Sequence, residues 1–346
     1  MSEIKVNSIK GVAASTAAIT VNNTDGTCTI NNTNRTNKNL IINGAMNVAQ
    51  RGSSSTSEGY QTIDRYYVGS GGTDEAQTQA QVDVASGTTP YTLGFRKALR
   101  ITNGNQTSGA GTADFMYLKY TFEAQDIANS GWNYLSSSSF ITLSFYVKSS
   151  VAQSFKAYFH TRQGTEYQYP FETGSLSADT WTKVTKTISG NSNLTFNSDN
   201  GLGLELYIWS FIGTDYTASS VTEDAWSTYA NAARMKDATS TWYTTNDATL
   251  EFTGFQFEVG STETDFEHRL FGQELALCQR YFFTNSSAYF PSPMAMQYQF
   301  PTTKRAAPTI THSHSGSPTI NYITQYGFNG YNAANTIEAY FATAEL

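Results

Sequence analysis

Charged residues are scarce in this sequence. Asp, Glu, Lys and Arg together make up 14% of the 346 residues, against about a quarter in typical soluble domains. The net charge is −7 and the few cations are scattered, which argues against a nucleic-acid partner bound through its phosphates. No apolar run approaches the ~18 residues of a membrane span, so we expect no membrane insertion.

Cysteine and histidine are also rare. The two cysteines, Cys28 and Cys278, lie in different regions of the chain and make no disulfide framework. The chain has four histidines and no HExxH, GxSxG or P-loop motif, which removes the common signatures of metalloproteases, hydrolases and NTPases. The first 15 residues lack a basic region followed by an apolar core. We therefore expect a protein made in the cytoplasm, without a signal peptide.

Aromatic residues are abundant instead, with 22 Tyr and 21 Phe, and several segments alternate strictly. In ITLSFYVK (141–148), SFKAYFH (154–160) and GLGLELYIWS (201–210), apolar residues occupy every second position. This period of two is typical of strands with one buried face. Loops rich in Ser, Gly and Asn separate the strands, so residues 39–270 are predicted to form an all-β jelly-roll β-sandwich.

The two ends of the chain differ from this middle part. Residues 1–38 contain a predicted hairpin around Asp25–Gly26, with too few apolar residues to fold alone, which favours an attachment arm. Residues 271–346 are predicted to form one short helix and a small β unit. In TLEFTGFQFEVG (249–260) the apolar alternation changes phase at Gly254, which predicts a β-bulge.

The acids that follow this strand have two interpretations. Glu258, Glu263, Asp265 and Glu267, with His268, could be an acid/base site or the seam between two structural parts. Their irregular spacing around a turn, and local ion pairing such as that of Glu267 with Arg269, favour the seam.

Four rings on the outward parity of the predicted strands are candidate binding residues: Tyr146, Tyr158, Tyr207 and Trp209. Aromatic rings stack on the C–H faces of sugars, and His160 could bond to sugar hydroxyls. The alternative is that this face packs against another subunit or against the C-terminal unit, which would bury the same rings.

A second candidate site is a metal site. His312 and His314 are two residues apart, so on a strand both imidazoles share one face. Around a three-fold axis, such a pair would supply six nitrogens to an octahedral transition metal. Two exposed loop histidines are the alternative, and otherwise no cofactor is indicated.

Several segments resemble the tail-fibre family of tailed bacteriophages, including cyanophages: NLIINGAMNVAQRG (39–52), FTGFQFEVGSTETDFEHRLFGQELALCQRYF (252–282) and FPTTKRAAPTIT (300–311). The central part also resembles the carbohydrate-binding jelly rolls attached to glycan-degrading enzymes. The resemblance implies a non-enzymatic virion protein of the tail, a homotrimer held to other phage tail proteins through residues 1–38. Its implied function is adhesion to a glycan or lipopolysaccharide of the host surface. A structural decoration protein and a polysaccharide depolymerase are the alternatives.

Overall fold

The structure is a computed structural model that describes residues 8–9, 19–21, 28–30, 37–292, 294–312, 318–332 and 336–346. Strands dominate it, as predicted from the abundance of aromatic and β-branched residues. The helical elements within these ranges are short: α1 (Thr89–Thr92), α2 (Ala124–Ala128), the 3₁₀ turn Thr214–Tyr216 and α3 (Phe271–Gln279). Within the same ranges, no helix has the length and apolar character to cross a membrane.

The N-terminal segment contributes a small antiparallel sheet of β1 (Ser8–Ile9), β2 (Ile19–Val21) and β3 (Cys28–Ile30). Ile19 pairs with Ile30, which confirms the predicted hairpin. Its turn at Asp25–Gly26 lies outside the described residues. The role of this segment as an attachment arm stays a prediction.

Most of the chain between residues 39 and 270 forms two six-stranded antiparallel sheets that pack face to face. Their strands, in chain order, are β4 (Ser54–Ser55), β5 (Tyr66–Gly71), β6 (Thr78–Asp83), β7 (Lys97–Thr102), β8 (Phe115–Glu123), β9 (Phe140–Ser149), β10 (Lys156–Thr161), β11 (Tyr167–Glu172), β12 (Thr182–Ser189), β13 (Leu202–Ile212), β14 (Ser227–Thr228) and β15 (Thr249–Val259). Sheet one has the order β14-β11-β10-β13-β8-β5, and sheet two has the order β12-β9-β15-β7-β6-β4. The chain crosses repeatedly between the sheets, which is the jelly-roll architecture that was predicted.

The core lies between the two sheets. The predicted inward residues of β9, β10 and β13 are in it: Ile141, Leu143, Phe145, Val147, Ala157, Phe159, Leu204, Leu206 and Ile208. Phe145 and Phe255 stack across the interior of sheet two, with ring centroids 4.8 Å apart. Burying each Phe side chain contributes about 2 kcal/mol, so the alternating rings supply much of the stability.

Strand β15 changes its phase without leaving the core. Its pairing with β9 shifts between Thr253 and Gln256, which confirms the bulge predicted at Gly254. Gly254 has a φ of +68°, in the left-handed region where glycine carries no steric cost. Because of the bulge, Phe252 and Phe255 both reach the interior although three positions separate them.

The acidic segment after β15 serves as a seam. The carboxylate of Glu258 accepts hydrogen bonds from the backbone N–H and the hydroxyl of Thr264, at 2.8 and 2.6 Å. Glu267 accepts a hydrogen bond of 2.8 Å from the backbone N–H of Asn39 and lies 3.3 Å from Arg269, which confirms the predicted ion pair. These acids therefore tie the segment entering the sandwich to the segment leaving it.

The C-terminal unit consists of two three-stranded sheets. Its strands are β16 (Phe282–Phe290), β17 (Met296–Gln299), β18 (Thr309–His312), β19 (Thr319–Asn321), β20 (Gly327–Tyr331) and β21 (Thr336–Thr343), in the orders β16-β21-β18 and β17-β20-β19. Phe290, Phe328 and Tyr340 form its small core. The boundaries predicted at residues 38 and 270 stay predictions, although the one short helix predicted after residue 270 is present as α3.

Buried ion pairs join the C-terminal unit to the sandwich. The carboxylate of Glu345 lies 2.5 Å from the guanidinium of Arg65 and 3.0 Å from that of Arg51. Arg65 is buried, and its guanidinium also lies 3.4 Å from the ring centroid of Tyr281. Charges this far from water persist only when they are paired, so each member of the junction depends on the others.

Candidate functional site

The outer face of sheet one carries the largest group of aromatic residues outside the core. Strand register places Tyr67 opposite Lys119, Lys119 opposite Tyr207, and Tyr207 opposite Tyr158. These four residues form one row across β5, β8, β13 and β10, because directly paired residues of antiparallel strands share a face. Trp209 lies in the next row.

Glycines on the edge strand make room for two of these rings. Gly69 pairs with Tyr117 and Gly71 with Phe115. A Cβ atom added at Gly69 would lie 2.6 Å from Cζ of Tyr117, and one added at Gly71 would lie 2.5 Å from Cζ of Phe115. The rings therefore occupy the space above the glycines, as aromatic residues do when they cover edge glycines in sheets.

The rings form one continuous group, which we call the outer aromatic face: Tyr67, Tyr117, Tyr158, Tyr207 and Trp209. The Tyr158 and Tyr207 rings are 5.0 Å apart and nearly parallel, at 4°. Tyr207 is followed by Tyr117 at 5.2 Å, and Tyr117 by Tyr67 at 6.1 Å with an interplanar angle of 9°. The group extends from the middle of the sheet to its β5 edge.

Residues 214–238, the covering segment, lie over the inner part of this face. Tyr158 and Trp209 pack with Met235 of the covering segment and are each 2% exposed. Tyr67, Tyr117 and Tyr207 remain half-buried and open to solvent. The rings have the predicted outward parity, and the cover on Tyr158 and Trp209 comes from the same sandwich. For the open rings, packing against another subunit stays the alternative interpretation.

His160 is enclosed beside the same rings. Its ring stacks on Tyr229 at 4.0 Å, and its Nε2 lies 2.9 Å from the carboxylate of Glu166. Burial lowers the pKa of His160, the nearby Arg162 guanidinium lowers it further, and the carboxylates of Glu166 and Glu205 offset only part of this. The imidazole is therefore neutral at pH 7 and can donate or accept a hydrogen bond.

Polar groups lie among the exposed rings. Lys119 Nζ is 3.3 Å from the carboxylate of Glu205 and 5.0 Å from the ring centroid of Tyr67. The hydroxyl of Tyr207 donates a hydrogen bond of 3.3 Å to Glu205. Burial raises the pKa of both Tyr117 and Tyr207, so their phenols stay neutral across the physiological range. The surface thus offers flat apolar rings with donors and acceptors at their edges.

Tyr146 is separated from the other four predicted residues. It lies on β9, on the outer face of sheet two, where it lines a cavity of about 360 Å3 with Phe95, Phe266, His268 and Lys183. Phe95 forms the floor, since its ring lies 4.8 Å from that of Phe266 and 5.9 Å from that of Tyr146. The structure therefore brings together Tyr158, Tyr207, Trp209 and His160 but not Tyr146.

The predicted metal pair is only half described. His312 ends β18, where it pairs with Tyr340, and His314 lies outside the described residues. Within the described ranges, no three His, Cys, Asp or Glu residues cluster closely enough to hold a metal ion. The His312–His314 site stays a prediction.

Cys278 is a free buried thiol whose pKa is raised by burial, so it is not a reactive nucleophile.

Sequence reasoning missed Tyr67 and Tyr117. Both carry a signal in hindsight, because Tyr117 and Lys119 share the outward parity of β8 and Tyr67 alternates with Gly69 and Gly71. What was absent was the register that pairs Gly69 with Tyr117 across two strands.

The chain was compared with known proteins. No family model matches it, and no curated protein matches its sequence. Among solved structures, the enzymatically active domain of tailspike protein 4 from bacteriophage CBA120 aligns with 64% of this chain and 21% of its own, at 9% identity and a TM-score of 0.34. A family 11 carbohydrate-binding module from Clostridium thermocellum, in complex with a mixed-linked tetrasaccharide, aligns with 61% of this chain and 98% of its own, at 9% identity and a TM-score of 0.27.

A family 30 carbohydrate-binding module aligns with 68% of this chain and 93% of its own, at 10% identity and a TM-score of 0.30. With likenesses this distant, the fold is assigned from the strand order and register of the chain itself. The class defined in this way is a jelly-roll protein with an aromatic outer face on one sheet.

Proposed function

We propose that the protein binds glycans through the exposed part of the outer aromatic face. The observation that carries this proposal is the continuous surface of Tyr67, Tyr117 and Tyr207, half-buried and bordered by Lys119 and Glu205. Sugar rings present C–H faces that stack on such side chains, while their hydroxyls bond to polar groups at the ring edges.

The fixed orientation of two of these rings supports the same proposal. Tyr117 lies over Gly69, Tyr207 stacks on the buried Tyr158, and both therefore keep their orientation without a ligand. A preformed platform pays little conformational entropy on binding, which matters because single sugar contacts are weak.

We further propose that the protein is a trimeric tail-fibre-like virion protein that adheres to a host-surface glycan or lipopolysaccharide. The support is the resemblance of residues 39–52 and 252–282 to tail-fibre proteins. In this proposal residues 1–38 attach the trimer to other tail proteins. Three copies of one weak site convert modest affinity into avidity, provided that all three reach the same surface.

The proposed role is adhesion without catalysis. The exposed rings are stacking groups, whereas most glycoside hydrolases act through a pair of carboxyl groups that flank the scissile bond. The enzymatic alternative predicts release of reducing ends from a bound polysaccharide. The decoration alternative predicts that the intact protein binds no envelope glycan at all.

Binding of the full-length chain to an array of purified bacterial lipopolysaccharides and capsular polysaccharides tests the proposal. Tyr117→Ala and Tyr207→Ala should each weaken binding about fivefold, the equivalent of about 1 kcal/mol per lost ring contact. Tyr91→Ala is the matched control, because Tyr91 is a half-buried tyrosine packed beside sheet two. Equal binding by all four proteins would reject the outer aromatic face as the site.

A reducing-end assay on every polysaccharide that binds separates adhesion from depolymerisation. Sedimentation analysis of the same preparation measures the oligomeric state. A monomer at assay concentrations would contradict the trimer, whereas the glycan proposal stands or falls with the array.

A further inference from the structure

The C-terminal unit has an outer sheet face lined by side-chain amides. Gln297 of β17 pairs with Asn329 of β20, and Asn329 pairs with Asn321 of β19. The three amides thus form one row across the sheet, on the face opposite the core residues Tyr298 and Phe328. We call this surface the amide face.

Two tyrosines stand beside the amide face with their rings in solvent. Tyr322 is 78% exposed and Tyr326 is 61% exposed. Tyr322 also has a φ of +52°, a left-handed conformation that costs a non-glycine residue on the order of 1 kcal/mol. Backbone strain that displays a ring to water is characteristic of binding sites rather than of stability.

A cavity of about 290 Å3 lies between the amides and these rings. It is lined by Gln297, Gln299, Tyr322, Thr324, Tyr326, Gly327, Phe328 and Asn329. None of these residues carries a charge. At the edge of the row, the side-chain oxygen of Asn321 is buried and has no hydrogen-bond partner among the described residues, although buried polar groups are normally satisfied.

The chemistry of the lining selects its ligand. Side-chain amides both donate and accept hydrogen bonds, which matches hydroxyl groups that do the same. A charged ligand would lose its hydration without gaining a counter-charge, and that loss is costly. We propose that this cavity is a second saccharide site, selective for neutral sugar units, in which the rings of Tyr322 and Tyr326 stack on the sugar.

This site is independent of the outer aromatic face. It lies in a different unit, and its lining lacks the ion pair that borders the first surface. The proposal therefore holds even if Tyr117 and Tyr207 bind nothing. A second copy of the chain is the competing occupant, but the cavity is lined by polar amide side chains rather than by the apolar core of a subunit interface.

Saturation-transfer NMR on the full-length protein tests the proposal. The probes are the neutral sugars glucose, galactose, mannose and N-acetylglucosamine, with glucuronic acid and glucosamine as charged comparators. At least one neutral sugar should bind, and both charged comparators should bind more weakly than that sugar. Tyr326→Ala, Gln297→Ala and Tyr322→Asn should each reduce that affinity at least fivefold. Asn is chosen at position 322 because it tolerates the left-handed backbone.

Two control variants make the result specific. Tyr289→Ala removes another exposed tyrosine of the same unit, and Tyr91→Ala removes a half-buried tyrosine beside sheet two that belongs to neither proposed site. Neither should change binding of the neutral sugars. The proposal is overturned if no neutral sugar binds, if Tyr207→Ala rather than Tyr326→Ala abolishes binding, or if Tyr326→Ala changes the sedimentation coefficient and so identifies an interface between copies.

Discussion

Arg280 donates two parallel hydrogen bonds to Glu123, one to each carboxylate oxygen and each of 2.7 Å. Glu123 ends β8 of the sandwich, whereas Arg280 follows α3, so the pair crosses the junction between the sandwich and the C-terminal unit. Burial alone would raise the pKa of Glu123, but bonds from Arg280, Tyr281 and Gln125 outweigh it and hold the pKa below its usual range.

Removing one partner of this pair should destabilise the protein. Arg280→Met leaves the fully buried carboxylate of Glu123 without its bidentate partner, and we expect a loss of about 3 kcal/mol in the free energy of unfolding. Urea denaturation at pH 7 measures it. The control is Lys97→Met, which breaks the exposed pair with Asp83 and should change stability by less than about 1 kcal/mol. If the two variants lose the same free energy of unfolding, the Arg280–Glu123 contact does not stabilise the junction.

The acid sensitivity of the same contact has a defined sign. Because the pKa of Glu123 is lowered in the folded state, its contribution is present above the ordinary carboxylate pKa of about 4.3 and is lost as the pH falls below it. The difference in stability between wild type and Arg280→Met should therefore shrink towards pH 3.

Gly69→Ala should alter binding more than stability. The added methyl group would meet the outer ends of the Tyr117 and Tyr67 rings, so the rings must leave their present orientation while the backbone stays. We expect a stability change of less than about 1 kcal/mol and about a fivefold loss of glycan affinity. Gly272→Ala is the control, since a Cβ there meets no atom within 4 Å. If Gly69→Ala binds the same array with unchanged affinity, the orientation of these rings does not determine glycan binding.

Because of Lys304, the free energy of unfolding should rise as the pH increases into mild alkali. Burial lowers its pKa to about 7, and the nearby Glu345 offsets this only in part. Between pH 7 and 9 the unfolded chain keeps a proton that the folded state has released, so the free energy of unfolding rises with pH, by at most about 1.4 kcal/mol per pH unit. Lys304→Met should flatten this slope, whereas Lys236→Met, at an exposed lysine, should preserve it. If the free energy of unfolding has the same pH dependence in wild type and in both variants, the lowered pKa of Lys304 is refuted.

The interior of the sandwich was predictable because alternation encodes it locally. Ile141, Leu143 and Phe145 face the core for the reason their spacing indicated, and the phase change at Gly254 marked a real bulge. The hairpin of β2 and β3 followed from equally local signals.

The site was less predictable because it depends on contacts between distant segments. Tyr146 and Tyr158 are close in sequence and have the same parity, yet they lie on opposite sheets, because the chain crosses between the layers from β9 to β10. The cover on Trp209 comes from residues 214–238, which show no periodicity that would reveal their position. Tyr67 and Tyr117 required the strand register, which single-sequence patterns do not contain.

Alternate residues of strand β8 lie in the interior of the sandwich and on the outer face of sheet one. Leu118 and Tyr120 belong to the interior, while Tyr117 and Lys119 point away from it. Because Tyr117 and Lys119 lie outside the core cluster that contains Leu118 and Tyr120, the outward pair can be substituted without removing a side chain from the interior. Under the proposed function, a change of glycan would then require only a few substitutions on a scaffold that already folds.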